Sequence, residues 1–153
     1  GRAASGFSVG VFGALKYAAK SYGPSAPVPS HSGPAGLRGP DGQKITHWAK
    51  LTSMAELGGG MVYGFPWDEA RVSADNPMEH IESYRGKRIF LVSGTDPDVN
   101  ETFVLPTQRT FGGALEVAGI PHERYEDSGT HFVRPERLQQ DIDGIIAHLT
   151  KAG

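Results

Sequence analysis

The sequence predicts an α/β fold in which a mostly parallel sheet is flanked by helices. Strand patterns alternate with helical patterns along the 153 residues, which is typical of parallel α/β sheets. The clearest strand, residues 88–93, is an unbroken apolar run of the kind that parallel sheets bury. The last helix, near Pro135, is equally clear because apolar residues recur there at i, i+4, i+7, i+8 and i+11.

Composition bounds the class of protein. A chain of 153 residues that is 38% hydrophobic has the size of one ordinary domain and can bury a core. Its net charge of −2 and the absence of a basic stripe give no support for a nucleic-acid partner. The apolar runs are far shorter than the roughly 20 residues that a bilayer requires, so no transmembrane segment is expected. Cysteine is absent, which excludes disulfides, thiolate metal sites and cysteine catalysis.

The first half of the chain contains two predicted strands and two predicted helices. Residues 2–7 fit a short buried strand, and residues 9–19 carry small and apolar side chains at helical spacing. A weak strand is expected at 26–30, within a stretch whose prolines interrupt any helix. Residues 46–57 fit a helix that ends at the glycine run 58–60.

In the second half of the chain, predicted helices and strands alternate more regularly. A helix or turn is expected to begin at Asp75-Asn76-Pro77, before the strand at 88–93. Residues 106–118 fit a helix that stops at Gly119. A short polar strand at 122–127 precedes the last helix, which begins near Pro135 and runs for about four turns.

A candidate nucleophile lies between the first strand and the first helix. Gly6-Phe7-Ser8-Val9-Gly10 reads as G-x-S-x-G, the pattern of a serine on a sharp strand-to-helix turn. Both glycines are expected to be needed there, because a Cβ at either position would clash as the backbone folds back. The pentapeptide alone is weak evidence, so the interpretation of Ser8 depends on its position between the two elements.

A serine nucleophile needs a base, and His131 is the best placed histidine. It lies in Ser128-Gly129-Thr130-His131-Phe132, after the last predicted strand and before the final helix. The α/β-hydrolase fold has its catalytic histidine in such a loop, in the chain order serine, acid, histidine. The other histidines are interpreted as surface or packing residues: His31, His47, His80, His122 and His148.

Three carboxylates compete for the role of the acid that orients the histidine. Asp96, Asp98 and Glu101 all follow the strong strand, and they precede His131 by 35, 33 and 30 residues. Spacing alone does not decide among them. Only one of them can be the acid, so the other two are expected to be solvated charges in a loop.

The oxyanion hole of this fold needs two N–H donors, one of them from the residue after the nucleophile, here Val9. The second donor comes from a loop after an earlier strand, and the sequence begins one strand before Ser8. We therefore interpret residues 1–153 as the C-terminal portion of a single α/β-hydrolase domain, with the upstream strands missing from this chain. An N-terminal segment of the same fold, within one polypeptide or as a separate chain, is the expected partner. A truncated piece is the alternative.

Five segments occur in the order found in a known family. They are Gly6-Phe7-Ser8-Val9-Gly10 with the following Phe12-Gly13-Ala14-Leu15, then His31-Ser32-Gly33, Ala74-Asp75-Asn76-Pro77-Met78, the strand at 88–94, and Gly129-Thr130-His131. Together they resemble the esterases related to the mycobacterial antigen 85 mycolyltransferases. The resemblance covers most of the chain.

The resemblance implies roles that spacing leaves open. It places a glutamate near the start of the helix after the strand, which favours Glu101 as the acid and leaves Asp98 as the alternative. The family usually has Trp after its histidine, whereas this chain has Phe132. Phe132 and Trp67 are the candidate substrate-binding residues, although packing in a core or lid explains Trp67 equally well. The resemblance also implies a secreted or cell-envelope protein, and it does not extend to trehalose recognition.

The expected function is that of a serine esterase or acyltransferase that forms an acyl-enzyme on Ser8. The substrate is expected to be a small-molecule or glycolipid ester, with water or a sugar hydroxyl as the acceptor. A catalytically silent relative that binds a carbohydrate or a protein is the alternative. No cofactor is expected, and no metal site, because no His, Asp and Glu cluster has ligand spacing. His122-Glu123 and Asp141-Ile142-Asp143 are interpreted as a strand start and a solvated helix face.

Overall fold

A computed structural model describes residues 4–21, 27–39, 63–64, 66 and 68–151. Its sheet has four strands in the order β1-β2-β3-β4, and every neighbouring pair is parallel. The strands are β1 (Gly6–Phe7), β2 (Val28–His31), β3 (Ile89–Gly94) and β4 (Glu123–Asp127). Helices flank this sheet, so the prediction of an α/β fold of the α/β-hydrolase type is confirmed.

Four helices have both ends within the described residues: α1 (Val9–Ser21), α2 (Glu69–Asp75), α3 (Glu101–Val117) and α4 (Pro135–Lys151). Two short 3-10 turns, Pro77–Glu79 and Ile81–Tyr84, lead from α2 to β3. Both α1 and α4 begin where the sequence predicts. The predicted helix at 46–57 lies outside the described residues, and α2 was not predicted.

The predicted start of α3 is wrong by five residues. The helix begins at Glu101 and contains Pro106, which the sequence analysis places at its beginning. The Asp98 side chain accepts hydrogen bonds from the backbone N–H groups of Asn100 and Glu101, both at 2.7 Å. These bonds satisfy N–H groups that would otherwise lack a partner at the helix end, so the helix starts earlier than Pro106 suggests.

The apolar core lies on the face of the sheet that α1 and α3 cover. Ile89 and Leu91 of β3 pack there against Leu15 of α1 and Phe111 of α3. Tyr84 closes this core: its ring meets Phe111 edge-on at a centroid distance of 5.1 Å, and its hydroxyl donates to the Leu15 carbonyl at 2.9 Å. Burying the phenol raises the pKa of Tyr84, so this hydroxyl keeps its proton and its bond.

Helix α4 covers the opposite face of the sheet, and the residue that it buries there is polar. Asp141 is 1% exposed, and its carboxylate lies 3.1 Å from His31 Nε2 and 2.8 Å from an Arg88 nitrogen. The prediction that Asp141 lies on a solvated face is therefore wrong, because the sheet presents a buried histidine and an arginine that require a carboxylate. The predicted apolar stripe includes Leu138, Ile142 and Ile146, which are 40%, 41% and 59% exposed.

No helix in the described part of the chain is long and apolar enough to cross a membrane.

Candidate active site

Ser8 occupies a sharp turn between the end of β1 and the start of α1. Its φ of +55° lies in the left-handed region, which residues with a Cβ rarely adopt. The turn is fixed by two backbone hydrogen bonds: the Ser8 N–H donates to the His31 carbonyl at 3.1 Å, and the Ser8 carbonyl accepts from the Val11 N–H at 3.0 Å. The serine therefore lies at the carboxyl edge of the parallel sheet, where α/β proteins place their ligand sites.

The glycines around this turn have unequal roles. A Cβ at Gly6 would overlap the backbone of Gly10, as the G-x-S-x-G pattern predicts. A Cβ at Gly10 would meet nothing within 4 Å, so the expectation that both glycines are sterically required is wrong for Gly10. Gly33 meets a further steric requirement that the sequence did not predict, because a Cβ there would overlap the Ser8 carbonyl oxygen and the Val11 side chain. Its position two residues after β2 was the available signal.

The loop after β4 brings His131 to the serine. Its Nε2 lies 3.0 Å from Ser8 Oγ, across 123 positions of sequence. The loop approaches β3 so closely that a Cβ at Gly94 would overlap the Gly129 carbonyl oxygen, and the Asp96 N–H donates to that same oxygen at 3.1 Å. Gly129 itself has a φ of +119°, a conformation that glycine adopts without strain.

Glu101 is the carboxylate that reaches the imidazole. Its Oε1 lies 3.0 Å from His131 Nδ1, and its Oε2 accepts the Gly94 N–H at 2.9 Å. A carboxylate only accepts hydrogen bonds, so this contact requires the proton on Nδ1 and leaves Nε2 free to accept from Ser8. The Glu101 side chain is 1% exposed and that of His131 14% exposed, so the pair is shielded from water.

The two competing aspartates lie elsewhere. Asp98 contacts His131 only at the backbone, where its Oδ2 accepts the N–H at 2.8 Å. Desolvation opposes the charge on Asp98, but the N–H groups of Glu101, His131 and Asn100 outweigh it and hold the pKa of this carboxyl below its usual value. Asp96 is exposed.

Helix α1 presents its first turn beside the serine. Val9 is its first residue, and the N–H groups of a first helical turn have no partner within the helix. The helix dipole also favours negative charge at this end. These properties agree with the oxyanion role predicted for the Val9 N–H, which stays a prediction.

Apolar side chains surround the serine and histidine at the surface. Phe7, Val9 and Phe132 are 42%, 68% and 44% exposed. The Phe7 ring lies 5.1 Å from the His131 ring between centroids. Trp67, the other predicted substrate contact, lies outside the described residues. The part of the chain that the structure describes holds no group of three or more histidine and acidic side chains that could bind a metal.

Arg134 stabilises the loop that carries His131, a role that the sequence did not predict. It is 5% exposed and donates to the carbonyls of Thr130 and Phe132, both at 3.2 Å. Its guanidinium also stacks over the Phe132 ring, 4.5 Å from the centroid. A single arginine after a loop carries no local pattern that would predict this role.

Comparisons with known proteins agree with the geometry. Residues 1–146 match the family described as "Putative esterase". Two curated relatives, Esterase Rv1288 and Esterase MT1326 from two strains of Mycobacterium tuberculosis, are each 58% identical to the chain over 161 aligned positions. The alignment covers 99% of this chain and 35% of each relative, so the chain spans about a third of their length. The chain belongs to this esterase family, which confirms its resemblance to the antigen 85-related esterases.

Proposed function

We propose that this chain carries the catalytic triad of a serine esterase, with Ser8 as nucleophile, His131 as base and Glu101 as the acid that orients the base. The observation that carries the proposal is the continuous contact from Ser8 Oγ to His131 Nε2 and from His131 Nδ1 to Glu101 Oε1, at 3.0 Å each. Both distances are within the range needed for proton transfer and orientation.

The reaction begins when Ser8 Oγ attacks the carbonyl carbon of an ester. His131 Nε2 takes the hydroxyl proton as the new C–O bond forms, and Glu101 stabilises the imidazolium. His131 then returns this proton to the leaving alcohol oxygen as the ester C–O bond breaks, which leaves an acyl-enzyme on Ser8. A water molecule, or a sugar hydroxyl, attacks the acyl-enzyme by the same steps in reverse.

The tetrahedral intermediate carries a negative oxygen, for which the Val9 N–H is one donor. The second donor is expected from an N-terminal segment of the same fold, within one polypeptide or as a separate chain. Two features support such a segment. The chain spans about a third of the length of its curated relatives, and Val9, directly after the nucleophile, is 68% exposed.

The substrate is proposed to be a small-molecule or glycolipid ester. Phe132 and Phe7 would contact its acyl chain, because both apolar rings are exposed beside the triad. Trp67 remains a further proposed contact. Both curated relatives are named esterases, which favours hydrolysis over acyl transfer. A secreted or cell-envelope location remains a proposal from the family resemblance.

The test is ester hydrolysis by the full-length protein, measured with p-nitrophenyl esters of increasing acyl length. Ser8→Ala is expected to lower kcat/KM by at least about a thousandfold, since it removes the nucleophile. Ser5→Ala, at an exposed serine of the same segment, is the matched control and is expected to leave the rate unchanged. A Ser8→Ala variant with undiminished activity would overturn the proposal, and a wild-type protein without activity would favour a silent binder.

A further inference from the structure

Asp98 makes three contacts that no single structural role requires. Its Oδ1 accepts the N–H groups of Asn100 and Glu101 at 2.7 Å, and its Oδ2 accepts the His131 N–H at 2.8 Å. The first pair caps helix α3, whose N-cap residue Asn100 makes no side-chain cap bond itself. The third contact crosses 33 positions of sequence to another loop.

These contacts join the two backbones that carry the acid and the base. Glu101 starts α3, whereas His131 lies in the loop after β4. Their side chains meet at 3.0 Å only if the two segments stay at a fixed separation. The Asp98 carboxylate accepts the backbone N–H groups of both residues, so it fixes the distance between the two backbone segments.

A carboxylate is the group that this position needs. All three partners are N–H donors, and an ionised carboxylate accepts at both oxygens. An asparagine could accept at one atom only, and its amide nitrogen would face a donor on the other side. The negative charge also lies at the N-terminus of α3, where the helix dipole stabilises it.

We propose that Asp98 is a positioning residue whose carboxylate ties the backbone of Glu101 to the backbone of His131 and so holds the acid in contact with the base. This rests on the triad proposed above. Asp98 does not touch the imidazole, so its effect on the rate is transmitted through the geometry of the pair.

Two variants of the full-length protein separate bridging from capping. Asp98→Asn keeps the side-chain length, but its one oxygen can accept either from His131 or from Asn100 and Glu101, so it cannot join the two backbones. Asp98→Ser keeps a side-chain oxygen that can accept an N–H at the start of α3 but is too short to reach His131 as well. Both are expected to lower kcat by about tenfold to a hundredfold with KM within about threefold of the wild type, because small misplacements of catalytic groups have effects of this size. Asp96→Asn, at the exposed neighbouring aspartate, is the control.

A spectroscopic readout makes the test independent of turnover. The Nδ1 proton of His131, hydrogen-bonded to Glu101, is expected as a downfield proton resonance in the wild type and in Asp96→Asn. It should shift upfield or broaden in Asp98→Ser while the thermal midpoint stays near that of the wild type. A resonance and a kcat unchanged in both Asp98 variants would overturn the positioning role. Failure of the triad proposal would differ, because Ser8→Ala would then keep its activity.

Discussion

The replacement Glu101→Gln tests the assignment of the acid, because the two oxygens of Glu101 have different partners. Oε1 faces His131 Nδ1 and Oε2 accepts the Gly94 N–H. Glutamine has the same shape but only one oxygen. In one orientation its NH2 group faces Nδ1 and forces the proton onto Nε2, so the imidazole cannot accept the proton of Ser8.

In the other orientation the NH2 group faces the Gly94 N–H, donor against donor. The Glu101 side chain is 1% exposed, so water cannot accept a hydrogen bond from either of these donors. An unsatisfied buried donor costs about 1–3 kcal/mol, or roughly a fivefold to 150-fold change in an equilibrium. The first orientation is therefore favoured, and it holds the inactive tautomer.

The expected result is a fall in kcat of about a hundredfold to ten-thousandfold, the range that loss of an oriented base produces. The assay is the initial rate of p-nitrophenyl ester hydrolysis, with circular dichroism to show that the variant is folded. Asp96→Asn is the control, since Asp96 is exposed and its side chain is not part of the triad. A Glu101→Gln variant that retains more than about a tenth of the wild-type kcat would refute the assignment of Glu101 as the acid.

Three further predictions concern the fold around the site. Gly33→Ala is expected to lower the free energy of unfolding by about 1–3 kcal/mol, because the added Cβ would overlap other atoms. Gly10→Ala should not lower it, because a Cβ there would meet no other atom within 4 Å, and the thermal midpoints of the two variants test the difference. Asp141→Ala should cost about 1–3 kcal/mol in urea titrations, because it leaves the buried His31 Nε2 without its partner and Arg88 with Glu123 as its remaining carboxylate. The Arg137 hydrogen bonds hold the pKa of Asp127 below its usual value. The stability that they contribute is therefore fully present when the pH is above the usual pKa of an aspartate, and it is lost as the pH falls through the lowered pKa of Asp127. The gap in stability between wild type and Arg137→Gln should therefore be present at pH 7 and close in acid.

Much of the fold could be predicted from the sequence, because the period of the apolar residues differs between strands and helices. The run that forms β3 and the spacing along α4 were both unambiguous. The surroundings of α4 were not predictable. Asp141 is buried because a histidine 110 positions away faces it, and no local pattern reports such a contact.

In the candidate site, too, local features could be predicted from the sequence and tertiary contacts could not. The turn around Ser8 has a local signature, because the strand, the glycine and the helix follow one another in the chain. The choice of Glu101 over Asp98 depended on the family resemblance, since the positions of their oxygens relative to His131 are set by tertiary structure. Gly33 and Arg134 were missed for the same reason: each contacts the site from a segment that is distant from Ser8 in sequence.

Intact-protein mass spectrometry of the full-length protein, after exposure to a serine-reactive alkyl phosphonate, tests directly whether Ser8 is an activated nucleophile. We expect one covalent adduct, located on Ser8 by peptide mapping and lost in His131→Ala, because activation of the serine requires the base 3.0 Å away. An adduct on another residue, or an adduct on Ser8 that forms equally fast in His131→Ala, would contradict it.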